Sequence, residues 1–162
     1  GLGVVYIRAS QLHKIEPHYG DDDYPLDDIR SRLHMGMPPI GAILAAPAAL
    51  DFHARLGGTP AKNERLAWLR HYWVSRAAPL PGVRILSPLD AQRGTALVAF
   101  AVDGMEARDL QQALLQRFGV FTVLRNIGDT DIVRATVAIT TTTAELDRLV
   151  AALTVLSRET NT

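Results

Sequence analysis

From Val83 onward the sequence reads as strand, strand, helix, strand, strand, helix, and this order constrains the fold more than any other feature. Val83 to Leu86 is a short strand. Thr95 to Val102 is a longer one, with Val98, Phe100 and Val102 on one face because successive strand side chains alternate. Asp103 and Glu106 have the spacing of a capping box, which predicts a helix carrying Leu110, Leu114 and Phe118, ended by Gly119. Val120 to Leu124 and Asp131 to Ile139 are the next two strands. Thr142 and Glu145 form a second capping box, and Leu146, Leu149, Val150, Leu153 and Leu156 give the last helix its apolar stripe. The expected architecture is α+β: a small, mainly antiparallel sheet with helices on one face.

The first half is less regular. Leu2 to Arg8 is β-branched and aromatic and predicts a buried strand. The segment to about Arg32 is polar and broken by Pro17, Gly20 and Pro25, with one short helix expected near Leu26 to Arg32. Its run Asp21-Asp22-Asp23 reads as a solvated loop, since no second cluster of metal ligands accompanies it, and no metal site is expected. Ile40 to Leu56, opened by Pro38-Pro39, is rich in Ala and Leu and predicts a helix. Being apolar nearly all round, that helix should be buried. Gly57-Gly58 ends it, and Thr59 and Pro60 are expected as N-cap and first residue of the next helix. There Leu66, Leu69, Trp73 and Ala77 form the stripe, with Arg65, Arg70 and Arg76 outside it. The composition changes near Met37, which divides the chain into residues 1–37 and 38–162.

Several function classes fall away. Lys plus Arg is 17 and Asp plus Glu is 17, so no basic surface for nucleic acid is expected. No apolar run approaches the roughly 20 residues that cross a bilayer, so no membrane partner is expected. Without cysteine there are no disulfides, thiolate metal sites or cysteine nucleophiles. The sequence has no Gly-rich phosphate loop, no Ser-His-Asp arrangement and no histidine pair at metal spacing. The working expectation for compartment is the cytoplasm.

One residue departs from its surroundings. In the strand Asp131 to Ile139, Val133, Ala135, Val137 and Ile139 share a face, while Arg134 sits mid-strand on the other among Ile132, Thr136 and Ala138. A guanidinium there either reaches solvent or meets an anion, because burying it unpaired is costly. Its planar fork suits a carboxylate.

Five segments, in order, resemble the class V aminotransferases, the family of cysteine desulfurases and isopenicillin N epimerase-like proteins. Gly1 to Arg8 (GLGVVYIR) is similar to the family's GxGxxYxR strand, and Ser31 to Pro38 to its RFExGTP segment. Ala49 to Gly57 resembles its helix end, and Pro81-Gly82-Val83 its PGV. Val133-Arg134-Ala135, with Thr142, Glu145, Leu146 and Asp147, resembles its VRAS…TxxEID ending.

The resemblance implies a fold-type I enzyme using pyridoxal 5′-phosphate (PLP), a homodimer acting on an amino acid by epimerisation, elimination or transamination. Residues 1–37 would be the tail of the large domain, and 38–162 the interdomain helix and small C-terminal domain. Arg134 matches the arginine that holds the substrate α-carboxylate. Gly36 and Met37 match the Gly-Thr pair at the cofactor phosphate, with a Met that has no hydroxyl to donate. Lys14 and Lys62 are the only lysines, and neither fits the PLP-attachment motif, so that Lys is expected upstream of Gly1 in a missing N-terminal domain. The chain alone is then expected to be inactive. Desulfurases carry a catalytic Cys on the loop before the Arg134 strand. Here that loop, Asn126 to Thr130, is short and has none, which points to the epimerase-like or lyase-like members. Two readings of other classes stay open: a stand-alone α+β metabolite-binding regulatory domain, and a non-catalytic dimerisation domain.

Overall fold

The computed structural model describes residues 3–17, 24–33, 39–90 and 93–160. It divides into two compact units, Gly1–Arg55 and Leu56–Thr162. The expectations placed on Asp21 to Asp23, Gly36 and Met37 lie outside the described residues.

In the first unit, residues 3–8 are not a buried strand. They form no ladder, and Val4 and Tyr6 are 91% and 82% exposed. Extended chain becomes a strand only beside a partner, and no described segment lies alongside. Short 3-10 turns follow at Ala9–Lys14 and Ile29–Arg32, the second inside the stretch expected to be helical. Helix α1 spans Ile40–Arg55, as expected, but buries none of its residues. A helix apolar all round needs cover on every side, and this unit has too little chain to supply it.

The second unit has a closed core. Helix α2 spans Gly58–Ala77. Its N-cap is Gly57 in the left-handed region (φ 84°), so Thr59 lies within the first turn and is not the cap. Strands β1 (Val83–Ile85), β2 (Leu97–Val102), β3 (Val123–Ile127) and β4 (Thr130–Thr136) form one antiparallel sheet in the order β1-β2-β4-β3. Helices α3 (Ala107–Phe118) and α4 (Thr143–Glu159) pack on it, and α2 packs against α4. The core joins Leu69, Trp73 and Ala77 of α2 to Val98, Phe100 and Val102 of β2 and to Leu110, Leu114, Leu149, Leu153 and Leu156. Trp73 meets Phe100 edge-on, with centroids 5.9 Å apart, the geometry aromatic pairs prefer. This is the expected α+β arrangement.

Two local expectations need correction. Asp103 does not cap α3. The N-cap is Glu106, without a side-chain bond, and Asp103 instead accepts from Arg84 Nε at 2.6 Å. The third strand begins at Val123 and not at Val120. Gly119 (φ 64°) and Val120 donate to Leu115 and Leu114 and close α3, so Val120 is committed to the helix end.

The second capping box is present in full. Thr142 Oγ1 accepts from the Glu145 amide at 3.3 Å, and the Glu145 carboxylate accepts from the Thr142 amide and hydroxyl at 2.8 Å each. The Thr142 amide first, and its hydroxyl second, hold the Glu145 carboxyl below the usual glutamate range. A lowered folded value means that the Glu145 charge stabilises α4 above the unfolded glutamate pKa of about 4.3. That stabilisation fades as pH falls through the folded value. Thr142→Ala should cost about 1 kcal/mol in urea unfolding. It should also move the Glu145 titration, followed by carboxyl-carbon NMR, part of the way back up, since the amide donor remains. Asp103→Ala should leave the stability of α3 unchanged.

Candidate functional site

Arg134 lies on the sheet face away from the helices. In β4, Val133 and Ala135 are buried in the core, so Ile132, Arg134 and Thr136 point the other way. The register sets Arg134 between Ala99 of β2 and Val123 of β3. The small Ala99 leaves room beside it. Arg134 is half-buried, and its Nε is cut off from solvent with no hydrogen-bond partner among the described residues. A buried donor without a partner costs on the order of 1–3 kcal/mol, more on a charged group.

Around Arg134 the face forms a hollow of about 320 Å³. Leu97, Ala99, Ile127 and Ile132 make its apolar walls, and Arg125, Ser87, Thr95 and Asn126 its polar ones. No Asp or Glu is among the lining residues. Arg125 comes from β3 through the hairpin with β4, whose turn is Gly128-Asp129, with Ile127 opposite Thr130 and Gly128 at φ 62°. The loop Asn126 to Thr130 is therefore as short as a hairpin connection gets.

Ser87 and Thr95 reach the hollow from the connection between β1 and β2, which Arg70 of α2 holds from behind. Arg70 was placed outside the apolar stripe, yet it is only 7% exposed. Its guanidinium donates to the Pro88 carbonyl, and its Nε has no partner among the described residues. Gly94 packs on this guanidinium so closely that a Cβ there would lie 2.6 Å from Arg70 Cζ. On the same connection the Ser87 hydroxyl accepts from the Ala99 amide at 2.8 Å, which ties it to β2 beside Arg134.

Of the residues expected to form a site, Arg134 lines the hollow, while Gly36 and Met37 lie outside the described residues. Lys14 is exposed at the end of a 3-10 turn and Lys62 sits near the start of α2; neither is enclosed as a cofactor-bearing lysine must be. The described residues place two arginines, Arg125 and Arg134, along the hollow, and neither of their lysines is enclosed. Among them no group of His, Asp and Glu could hold a metal ion, and no helix is long and apolar enough to cross a membrane. Sequence reasoning missed Arg125, because the strand was ended at Leu124. The Gly128-Asp129 turn was the available signal, since a two-residue hairpin fixes the register of both strands.

The family model for class-V aminotransferases matches residues 1–149. The chain belongs to the class-V aminotransferase family. It is 25% identical, over 94% of its length, to a cysteine desulfurase of Pectobacterium atrosepticum, and 26% identical over 94% to a probable cysteine desulfurase of Xylella fastidiosa. It spans 41% and 40% of the length of these curated relatives. Among solved structures, the apo cysteine desulfurase of Thermococcus onnurineus shares the fold with a TM-score of 0.76 at 19% identity, covering 95% of this chain and 42% of that one. The cystine C-S lyase C-DES, solved with cysteine persulfide, matches with a TM-score of 0.71 at 25% identity, covering 92% and 41%. A C-DES variant with glycine covalently linked to its PLP cofactor matches at 25% identity with a TM-score of 0.72, covering 92% and 40%.

In this class-V aminotransferase chain the contact of Gly94 with Arg70 fixes the connection behind the hollow. Gly94→Ala should destabilise by about 1–3 kcal/mol in denaturant unfolding, as overpacking of a filled space does. Combined with Arg70→Ala, it should cost less than the sum of the two single changes, since part of the clash goes with the guanidinium.

Proposed function

We propose that this chain is the C-terminal portion of a PLP-dependent class-V aminotransferase-like enzyme acting on an amino acid, and that Arg134 holds the substrate α-carboxylate. The supporting observation is the half-buried Arg134 guanidinium lining a hollow that has no Asp or Glu among its lining residues. In this reading residues 1–37 close the large domain, and 38–162 form the interdomain helix and the small domain. The exposed apolar surface of α1 and residues 3–8 is then covered by the rest of the enzyme and by the second subunit of a homodimer. Gly36 and Met37 stand at the cofactor phosphate, where Met37 would contribute its backbone N–H and no hydroxyl.

PLP, when bound, withdraws electron density from the substrate Cα. The lysine that attaches it belongs to the remainder of the enzyme, and the chain by itself is inactive. What this chain contributes is orientation. A carboxylate gripped by two parallel hydrogen bonds fixes the rotation of the substrate about its Cα, and so selects which bond at that carbon breaks. With no cysteine in the chain and a two-residue turn ahead of β4, no persulfide can form on its own residues. An epimerase-type or lyase-type outcome fits this better, and the likeness to the C-S lyase C-DES supports it.

The test is a spectral titration of the full-length enzyme with its amino-acid substrate. Arg134→Ala should weaken substrate affinity roughly 10- to 100-fold, the worth of a charge-assisted hydrogen bond. Arg134→Lys should recover little of it, because an ammonium cannot reproduce the fork. Unchanged affinity in Arg134→Ala would remove the carboxylate role.

A further inference from the structure

Arg134 is not the only cation on its face. Val123 pairs with Arg134, and Arg125 pairs with Ile132. Arg125 and Arg134 thus stand on neighbouring strands, on the same face, two residues apart along the diagonal. Such neighbours have Cβ atoms about 7 Å apart, within reach of long side chains. Both line the same hollow. Like charges so placed repel, and among the described residues no carboxylate lines the hollow or bonds either arginine. The nearby Asp131 accepts from Asn126 Nδ2 at 3.0 Å, not from either arginine, and Arg84 on β1 is paired with Asp103. Among the described residues the Arg125 side chain makes one hydrogen bond, from Nη1 to the Leu124 carbonyl at 3.0 Å, and the side chain lines the hollow.

Ile132 stands next to Arg134 on this face of β4 and opposite Arg125 of β3, with Ala99 and Leu97 beyond Arg134 on β2 and Ile127 beyond Arg125; these side chains offer nothing to a polar linker and much to a short hydrocarbon. Two cations separated by an apolar floor complement two anions separated by methylene groups. We infer that the substrate is an aliphatic dicarboxylic amino acid, with its α-carboxylate on Arg134 and its side-chain carboxylate on Arg125. This rests on the reading of Arg134 proposed above and adds Arg125 as the specificity-determining residue. Half-buried Arg134 supplies the affinity that every amino acid shares. Arg125, more exposed and on an edge strand, distinguishes an acidic side chain from a neutral one.

The test is an NMR titration of the full chain at low ionic strength, following the backbone amides of Ala99, Val123, Arg125 and Arg134. The probes are acetate, succinate, glutarate and inorganic phosphate. Succinate or glutarate should bind about tenfold or more tighter than acetate, the gain of one further charge-assisted contact. Arg125→Gln should bring the dicarboxylates down to about the acetate level and weaken acetate far less than it weakens them, and Arg125→Lys should retain part of the gain. Arg134→Gln should weaken every probe. If Arg134→Gln weakens acetate but Arg125→Gln leaves glutarate unchanged, or if phosphate binds tighter than both dicarboxylates, the second carboxylate is wrong while Arg134 keeps its role. If Arg134→Gln leaves acetate binding intact, or the wild-type chain binds no probe, both readings fall.

Discussion

The second unit depends on the alternation of one strand. β4 lies between β2 and β3, so it is hydrogen-bonded on both edges and cannot slip its register without moving its neighbours. With the register held, Val133 and Ala135 enter the core against Phe100 and Val98, and Ile132 and Arg134 face away. A shift by one residue would drive the guanidinium into the apolar layer, at a cost far above that of any single lost contact. The same pairing that builds the core therefore aims Arg134. Stability and site geometry come from one set of backbone hydrogen bonds.

The parts of this fold legible in the sequence are those where one periodicity decides the outcome. The stripes of α2 and α4 and the alternation of β2 are long enough for burial of one face to dominate, and Leu69, Trp73, Phe100 and Leu153 are buried as their spacing predicts. Misreadings gather where a residue had two ways to use its polar groups. Asp103 has the spacing of a cap, but the Arg84 guanidinium is within reach across β1 and competes for its carboxylate. Val120 has the side chain of a strand residue, but its N–H is already bonded to Leu114 at the end of α3. Thr59 has the side chain of a cap, but Gly57 can take the left-handed conformation and starts the helix two residues earlier. None of these competitions is visible without the neighbouring element.

The same holds for the candidate site. Arg134 stood out because it interrupts an apolar strand. Arg125 did not, because two strand-edge residues and a Gly-Asp turn had to be placed before its face was known. Arg70 was hidden differently. It stands beside Leu69 and before the Trp73 turn of α2, where an arginine ordinarily reaches solvent, and only the connection folded over it makes it buried. A long-range packing event, with Gly94 as the residue small enough to permit it, decides its environment.

The two units also differ in how complete their burial is. The second encloses Trp73, Phe100 and a full layer of leucines within its own chain. The first leaves Ile40, Leu44, Leu50 and Phe52 of α1 more than half exposed, together with Val4 and Tyr6. Apolar surface is worth roughly 25 cal/mol for each Å² removed from water, so side chains exposed to this extent gain from cover by other protein. On the proposed reading the asymmetry has a direct explanation. The small domain folds around its own sheet and can present Arg134 unaided. Residues 3–8 and α1 carry side chains selected for an environment that the remainder of the enzyme supplies. Substrate carboxylate recognition then belongs to the part with a closed core, and cofactor attachment to the remainder of the enzyme. The carboxylate grip can thus be probed separately from PLP chemistry.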